Sequence, residues 1–407
     1  MPKLAKDKYC TGCLACKDAC RHEAVSVVLK NGMPFPKVNT DKCVDCKLCE
    51  KVCPVVNPVS KNMVDDMMAY GGWATDEKTR YNGASGGAFG GIAQSFFRKM
   101  CHPVVFGATL DNNHVRHIMI DRIEDVPLLM NSKYIQSNTD GIYRQVAQCL
   151  KNHQEVLFSG TPCQVAGLYS FLGKKRNSEN LWTVELVCHG IASQEALDLA
   201  KKAHHFDKIY SFRNKKHGQA YYVSQCCTYW DGDEKTTMKR KDDVFYQIFS
   251  TWLLDRKSCS NCLFSSIERV ADITLADFWG GAKNEEDYQL GVNLIITNNN
   301  HGKTLVESSE DIETYSATLL QALNSNSNLY NGYKFIQYHP LVLFPNFFRK
   351  ILPEKVRLAI LTRKYPWIFL WVPYKLMTQW YAKRKKKIIL RKYNMFNTSQ
   401  HYSGGGN

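Results

Sequence analysis

The sequence predicts two folded parts: a small cysteine-rich α+β domain, then a larger α/β domain with a mostly parallel sheet and added strands. Three observations carry this. Eight of the sixteen cysteines lie between Cys10 and Cys53. Beyond about residue 66, helical and strand patterns alternate, the order that a parallel sheet needs. A length of 407 residues, at roughly 100–200 residues per domain, leaves room for two to three domains.

Composition narrows the class. Hydrophobic residues make up 44% and charged residues 22%, which excludes wholesale disorder. No apolar run reaches about 18 residues, so no membrane-spanning helix is expected. Residues 1–8 are polar and lack the apolar core of a secretory signal. A cytoplasmic, reducing location follows as the expectation, and there sixteen cysteines point to metal rather than disulfides. The net charge of +15 is uneven. Residues 339–407 hold fourteen Lys and Arg against one acid, Glu354, giving +13 and leaving +2 for residues 1–338. A near-neutral body argues against a nucleic-acid partner.

The elements follow in order. Residues 54–66, with Pro54 and Pro58 and little pattern, read as a linker. Apolar residues at 88, 89, 92, 93, 96, 97 and 100 predict a helix. Strands are predicted at 104–110 and 115–120, and a second helix at 142–150. A strand at 156–159, a helix at 164–172, a strand at 183–187 and a helix at 194–205 come next. Residues 221–229 read as an added strand, and 272–276 and 292–297 as a return to a sheet. The expected domains are 1–59, 67–335 and a basic aromatic tail, 339–407.

Cys10, Cys13, Cys16 and Cys20 have the spacing Cys-x-x-Cys-x-x-Cys-x-x-x-Cys, and Cys43, Cys46, Cys49 and Cys53 repeat it before Pro54. This is the two-cluster pattern of bacterial ferredoxins, so a ferredoxin-like first domain is expected. Three thiolates two residues apart hold three corners of a 4Fe-4S cube. The last cysteine of the other run fills the fourth corner. Cys10, Cys13, Cys16 and Cys53 are thus assigned to one cluster, and Cys43, Cys46, Cys49 and Cys20 to the other. Two Cys₄ zinc sites would use the same residue type, but the doubled register argues against them.

The predicted strands at 156–159 and 183–187 run into Cys163 and Cys188. Both cysteines then sit at carboxyl ends of successive parallel strands, the edge where open α/β sheets bind ligands. Cys259-Ser260-Asn261-Cys262 adds a Cys-x-x-Cys pair. Four thiolates can enclose a third cluster. Inert buried cysteines, half a zinc site or a redox dithiol are the alternatives. Cys101, Cys149, Cys226 and Cys227 lack partners at ligand spacing and read as structural.

Asn82-Gly83-Ala84-Ser85-Gly86-Gly87 precedes a helix start, where free amides favour phosphate and glycine permits close approach. Close helix packing explains the same glycines. Lys133, with Tyr134 and Gln136 beside it, and Arg213 with Lys215 are candidate contacts for an acidic cofactor or solvated surface residues. His189, beside Cys188, is a candidate proton donor.

Together these segments resemble the coenzyme F-420 hydrogenase/dehydrogenase beta-subunit family. The resemblance rests on Gly83-Ala84-Ser85-Gly86-Gly87, residues 132–137, Ser159-Gly160-Thr161-Pro162-Cys163-Gln164 and Val187-Cys188-His189-Gly190. Ser211-Phe212-Arg213-Asn214-Lys215, Cys259-Ser260-Asn261-Cys262 and residues 271–280 complete it. It implies an iron–sulfur flavoprotein in which FAD exchanges hydride with a deazaflavin or related acceptor and passes single electrons to clusters. It implies a 4Fe-4S cluster beside the flavin and makes Ser85, Gly86, Gly87, Lys133, Tyr134, Gln136, Thr161 and Arg213 cofactor-binding candidates. Ala84 departs from the serine that relatives often have.

The expected function is an FAD- and iron–sulfur-dependent oxidoreductase with a redox partner protein or a small-molecule hydride acceptor. The alternative is a non-catalytic electron-transfer subunit feeding a partner enzyme, as in surface-polysaccharide biosynthesis. The tail joins aromatic residues, among them Phe344, Trp367, Trp371, Tyr374 and Trp380, to Lys383-Arg384-Lys385-Lys386-Lys387. That pairing suggests peripheral contact with the inner membrane face.

Overall fold

The computed structural model describes residues 1–215, 226–232, 234–330, 351–363, 371–393 and 395. In the cysteine-rich part, β1 (Val25–Lys30) and β2 (Met33–Val38) form an antiparallel hairpin. Its turn, Asn31-Gly32, has positive φ at both residues (52° and 72°), the twist that suits a two-residue hairpin. Short helices, Ala15–Asp18 and Leu48–Lys51, follow the two cysteine loops.

The body contributes β3 (Met68–Ala74), β4 (Pro103–Asp111), β5 (His114–Ile120), β6 (Glu155–Gly160), β7 (Leu181–Leu186), β8 (Lys208–Asn214), β9 (Cys226–Asp231), β10 (Glu234–Lys239), β11 (Ile273–Asp277), β12 (Asn293–Thr297) and β13 (Ile312–Ala317). Among the described residues, eight of these form one sheet in the order β13-β3-β12-β11-β7-β6-β4-β5. The expected mostly parallel sheet is parallel in its centre, β4-β6-β7-β11. Its flanks are antiparallel: β5 on one side, and β12, β3 and β13 on the other. Strand β3 was not visible in the periodicity because Gly71-Gly72 interrupts its apolar pattern. Strands β8, β9 and β10 form a separate antiparallel sheet rather than extending the large one. Residues 221–225 of the predicted added strand lie outside the described residues.

Alternation within the central strands builds a core on each face. Val104, Phe106, Val156 and Phe158 pack under helices Ile142–Lys151 and Pro162–Leu172. Val105, Leu157, Val184 and Ile273 pack on the other face with Ile92, Phe96 and Leu305. Burial on both faces is what makes the central strands read as continuous apolar runs.

The cysteine-rich part is docked on this body. The Asp18 carboxylate accepts from the Gly141 and Tyr143 amides (2.8 and 3.0 Å), capping helix Ile142–Lys151 from across the interface. Arg144 donates to the Cys20 carbonyl (2.8 Å), and Thr139 to the Cys13 carbonyl (2.9 Å). The linker is fastened too, with Asn62 donating to the Ala271 carbonyl (2.8 Å).

The described portions of the tail also pack on the body. Ile360, Leu361 and Trp371 join a core with Leu197, Phe245 and Phe249. Leu390 and Met395 join another with Val64 and Leu323. Helix Val372–Lys392 leaves Val372, Leu376, Met377 and Trp380 exposed. The aromatic residues Phe344 and Trp367 lie outside the described residues. Among the described residues, no helix is long and apolar enough to cross a membrane.

Candidate functional site

Both cysteine runs share one backbone conformation. In the first, Gly12 and Leu14 have positive φ (67° and 61°); in the second, Asp45 and Lys47 do (56° and 59°). These are the third and fifth positions of each run. Left-handed conformations of leucine, aspartate and lysine each cost roughly 1–2 kcal/mol, so their repetition marks a backbone bent for a purpose. The bends wrap each loop round a hollow. Cys10, Cys13, Cys16 and Cys53 line one hollow; Cys20, Cys43, Cys46 and Cys49 line the other. The grouping crosses the two runs, each hollow taking its fourth thiol from the other run.

A third hollow lies at the carboxyl edge of the parallel strands. Cys163 stands in the first turn of helix Pro162–Leu172, whose start is fixed by a capping box between Thr161 and Gln164. Cys188 follows β7, and Cys259 and Cys262 lie on or beside the short helix Lys257–Asn261. All four line the same hollow, with Thr11, Arg256, Arg269 and Phe264. Burial pushes the Cys13, Cys163 and Cys188 thiols up to about 12, and raises Cys16, Cys49, Cys259 and Cys262 as well. Such thiols stay protonated in isolation and ionise only on binding metal.

The donor sets suit cubes. Among the described residues, no three His, Cys, Asp or Glu side chains stand close enough to hold a single metal ion. Tetrahedral zinc needs thiolates about 3.8 Å apart, given its Zn–S bond of roughly 2.3 Å. A 4Fe-4S cube spreads its ligands to separate corners, which matches thiols ringing a hollow.

The candidate flavin residues are scattered more widely. A Cβ at Gly86 would lie 2.7 Å from the Gly72 carbonyl oxygen, and one at Gly87 would lie 2.6 Å from that of Thr79. Close packing therefore accounts for both glycines. The Ser85 hydroxyl donates to the Val292 carbonyl (2.5 Å), and the Ala88 amide donates to Asn293 (2.9 Å). Lys133 bonds the Met130 carbonyl (2.6 Å), and burial pushes its ammonium down to about 7. Tyr134 packs among Phe212, Tyr246 and Phe249. Gln136 holds the first cysteine loop, donating to the Thr11 and Gly12 carbonyls (3.0 and 3.2 Å). The Thr161 hydroxyl lies 3.2 Å from the Cys163 sulfur.

Three of the singled-out groups do converge. Arg213 pairs with Asp277 (2.8 Å) at the end of β11. His189 keeps an exposed side chain, yet desolvation by the surrounding protein lowers it, with Asp277 opposing the shift and Arg213 reinforcing it. Lys215 bonds the Arg80 carbonyl, and burial together with Arg213 and Arg80 holds its ammonium well below the usual range. This corner of basic side chains, with Asp277 among them, includes His189, the residue after Cys188. Of the cysteines read as structural, Cys149 and Cys227 are buried and Cys101 is exposed; the side chain of Cys226 lies outside the described residues.

Sequence reasoning missed Asp255, Arg256 and Arg269. Arg269 is buried and paired with buried Glu185. Burial holds the Asp255 carboxyl well above the usual carboxylate range. The signal was Asp255-Arg256 just ahead of Cys259, two charges following apolar Leu253-Leu254.

Residues 153–319 match the family model for the C terminus of the beta subunit of Coenzyme F420 hydrogenase/dehydrogenase. Residues 9–57 match the 4Fe-4S dicluster domain. No curated protein matches. Among solved structures, the chain is similar to one from the xenon-derivatized F420-reducing NiFe hydrogenase complex of Methanosarcina barkeri. That match has 13% identity and a TM-score of 0.43, over 67% of this chain and 90% of that one.

Proposed function

Since this chain belongs to the coenzyme F420 hydrogenase/dehydrogenase beta-subunit family through residues 153–319, with a 4Fe-4S dicluster domain at 9–57, we propose that it is an iron–sulfur flavoprotein oxidoreductase. It moves electrons between ferredoxin-type 4Fe-4S clusters and a hydride-exchanging substrate through FAD. One observation carries most weight: four thiols from three separate chain segments line one hollow at the sheet's carboxyl edge. Thr11 lines both this hollow and the Cys10 hollow, so the two sites abut.

Flavin, when bound, joins two-electron hydride chemistry to one-electron cluster chemistry. The chain's own residues supply the setting. Arg213, paired with Asp277, and Arg80, paired with Asp287 and Glu286, would donate hydrogen bonds to the cofactor's phosphates, and Lys215 would join them once an anion restores its charge. His189, an exposed side chain, accepts or donates a proton beside that corner. Cys163, Cys188, Cys259 and Cys262 hold the third cluster. The two cysteine runs hold the others and lead outward to a redox partner protein.

Full-length protein purified without oxygen is expected to carry about twelve irons, four per cube, and FAD detectable by native mass spectrometry. Cys259→Ala with Cys262→Ala removes roughly four of those irons and leaves the others, again one cube's content. Unchanged iron would eliminate the third cluster.

A second reading is favoured by the internal contacts of Gln136, Thr161 and the glycine turn: an electron-transfer subunit without flavin, feeding a partner enzyme. Clusters without FAD would establish it. For the tail, the exposed Val372, Leu376 and Trp380 next to Lys383-Arg384-Lys385-Lys386-Lys387 support contact with anionic lipid at about 1 kcal/mol per charge. The chain is expected to sediment with anionic vesicles at low salt and less at high salt. Neutralising those five charges should release it, and identical sedimentation would discard the idea.

A further inference from the structure

Arg256 is 2% exposed, and its guanidinium lies between two of the cysteine sets. Its Nε donates to the Cys10 carbonyl (2.7 Å), its Nη1 to Gln136 (2.7 Å) and its Nη2 to the Pro34 carbonyl (2.8 Å). Nη2 also stands 3.8 Å from the Cys10 sulfur, and the group stacks 4.1 Å above the Phe35 ring. The same side chain lines the hollow of Cys163, Cys188, Cys259 and Cys262. One buried cation thus reaches the first cysteine loop, the β1–β2 hairpin and the wall of the third hollow. Among the described residues, no carboxylate bonds it directly. Its oxygen acceptors there are neutral carbonyls.

A buried cation without a carboxylate partner is costly unless anions arrive beside it. Thiolate-held clusters are such anions, and they gain negative charge on reduction. Charge, hydrogen bonds to sulfur and solvent exposure are what set a cluster's potential. A guanidinium beside the Cys10 sulfur therefore favours the reduced form.

We infer that Arg256 is a positioning and potential-setting residue. It fixes the Cys10 loop against the third hollow and raises the reduction potential of the cluster held by Cys10, Cys13, Cys16 and Cys53. The cluster held by Cys20, Cys43, Cys46 and Cys49 feels it less, because that hollow does not include Arg256. This inference rests on the proposal that the three thiol sets hold 4Fe-4S clusters.

The test is a redox titration followed by electron paramagnetic resonance, on full-length protein with its iron counted. In Arg256→Gln the Cys10-set midpoint should move to a more negative potential. The Cys43-set midpoint should move less. Gln136→Glu provides a second variant if the first loses its iron: it keeps Arg256 and sets a carboxylate against it, so the same midpoint falls. A purely structural residue would change stability and leave midpoints alone. Either variant with full iron and an unmoved Cys10-set midpoint overturns the inference. Wild-type protein without iron in the Cys10 set would instead overturn the cluster proposal beneath it.

Discussion

The third residue of the first cysteine run is Gly12, and that of the second is Asp45; both hold positive φ. Their surroundings differ. A Cβ on Gly12 would lie 2.6 Å from the Gln136 side chain and 2.7 Å from the Arg256 guanidinium. Asp45 faces outward and pairs with the N-terminal amine and Lys47 (both 2.9 Å). The first run is pressed into the body, with Cys10, Cys13 and Cys16 buried, whereas Cys46 of the second is exposed. The difference teaches that spacing decides which thiols share a metal group, while burial and neighbouring charge decide how that group behaves. The Cys10 set meets the third hollow, and the other set reaches the surface at Cys46.

The comparison breaks most visibly if the fourth ligands are removed. Cys20→Ala should abolish the signal of the Cys43 set, and Cys53→Ala that of the Cys10 set, each with a loss of about four irons. Spectroscopy showing each variant damaging its own run would end the crossed arrangement.

A smaller effect is expected at the paired third positions. Gly12→Ala meets left-handed strain of roughly 1–2 kcal/mol and overpacking of roughly 1–3 kcal/mol. Asp45→Gly relieves strain and removes only exposed ion pairs, so its melting temperature should stay close to that of wild type. Thermal unfolding under anaerobic conditions compares them. Equal melting temperatures would mean that the two loops are equally free.

The smallest effect is a pH response beneath the first run. His117 bonds Ser137 (2.6 Å) and the Ser159 carbonyl (2.9 Å), next to the segment of Gln136 and Thr139 that holds that loop. Burial pushes it from 6.5 down to about 4. The unfolded chain therefore binds a proton that the folded one refuses, and stability is full above 6.5 and falls as pH drops toward 4. About 2 kcal/mol should be lost by about pH 5 relative to pH 7. His117→Gln should flatten this dependence; an unchanged slope would remove His117 from the account.

Much of the site is legible locally. The two cysteine runs and the parallel centre follow from spacing, residue type and period, because each is decided within a few residues. The flanks of the sheet were not legible. Gly71-Gly72 erases the pattern of β3, and its placement between β12 and β13 joins segments more than two hundred residues apart. The tail's docking depends on Leu390 and Met395 finding Val64 and Leu323, a contact that no local pattern announces.

The spacing of the cysteines marks out the thiols that line each of the first two hollows, since a tight loop presents three of them together. The sequence by itself also determined that Cys163 and Cys188 end neighbouring strands. Long-range packing brings Cys259 and Cys262 to the same hollow, ties Gln136 to the Thr11 and Gly12 carbonyls, and sets Arg256 between two thiol sets. The physical reason is common to all three. A side chain's role here depends on burial and charge contributed by distant segments, and long-range packing alone brings those segments together.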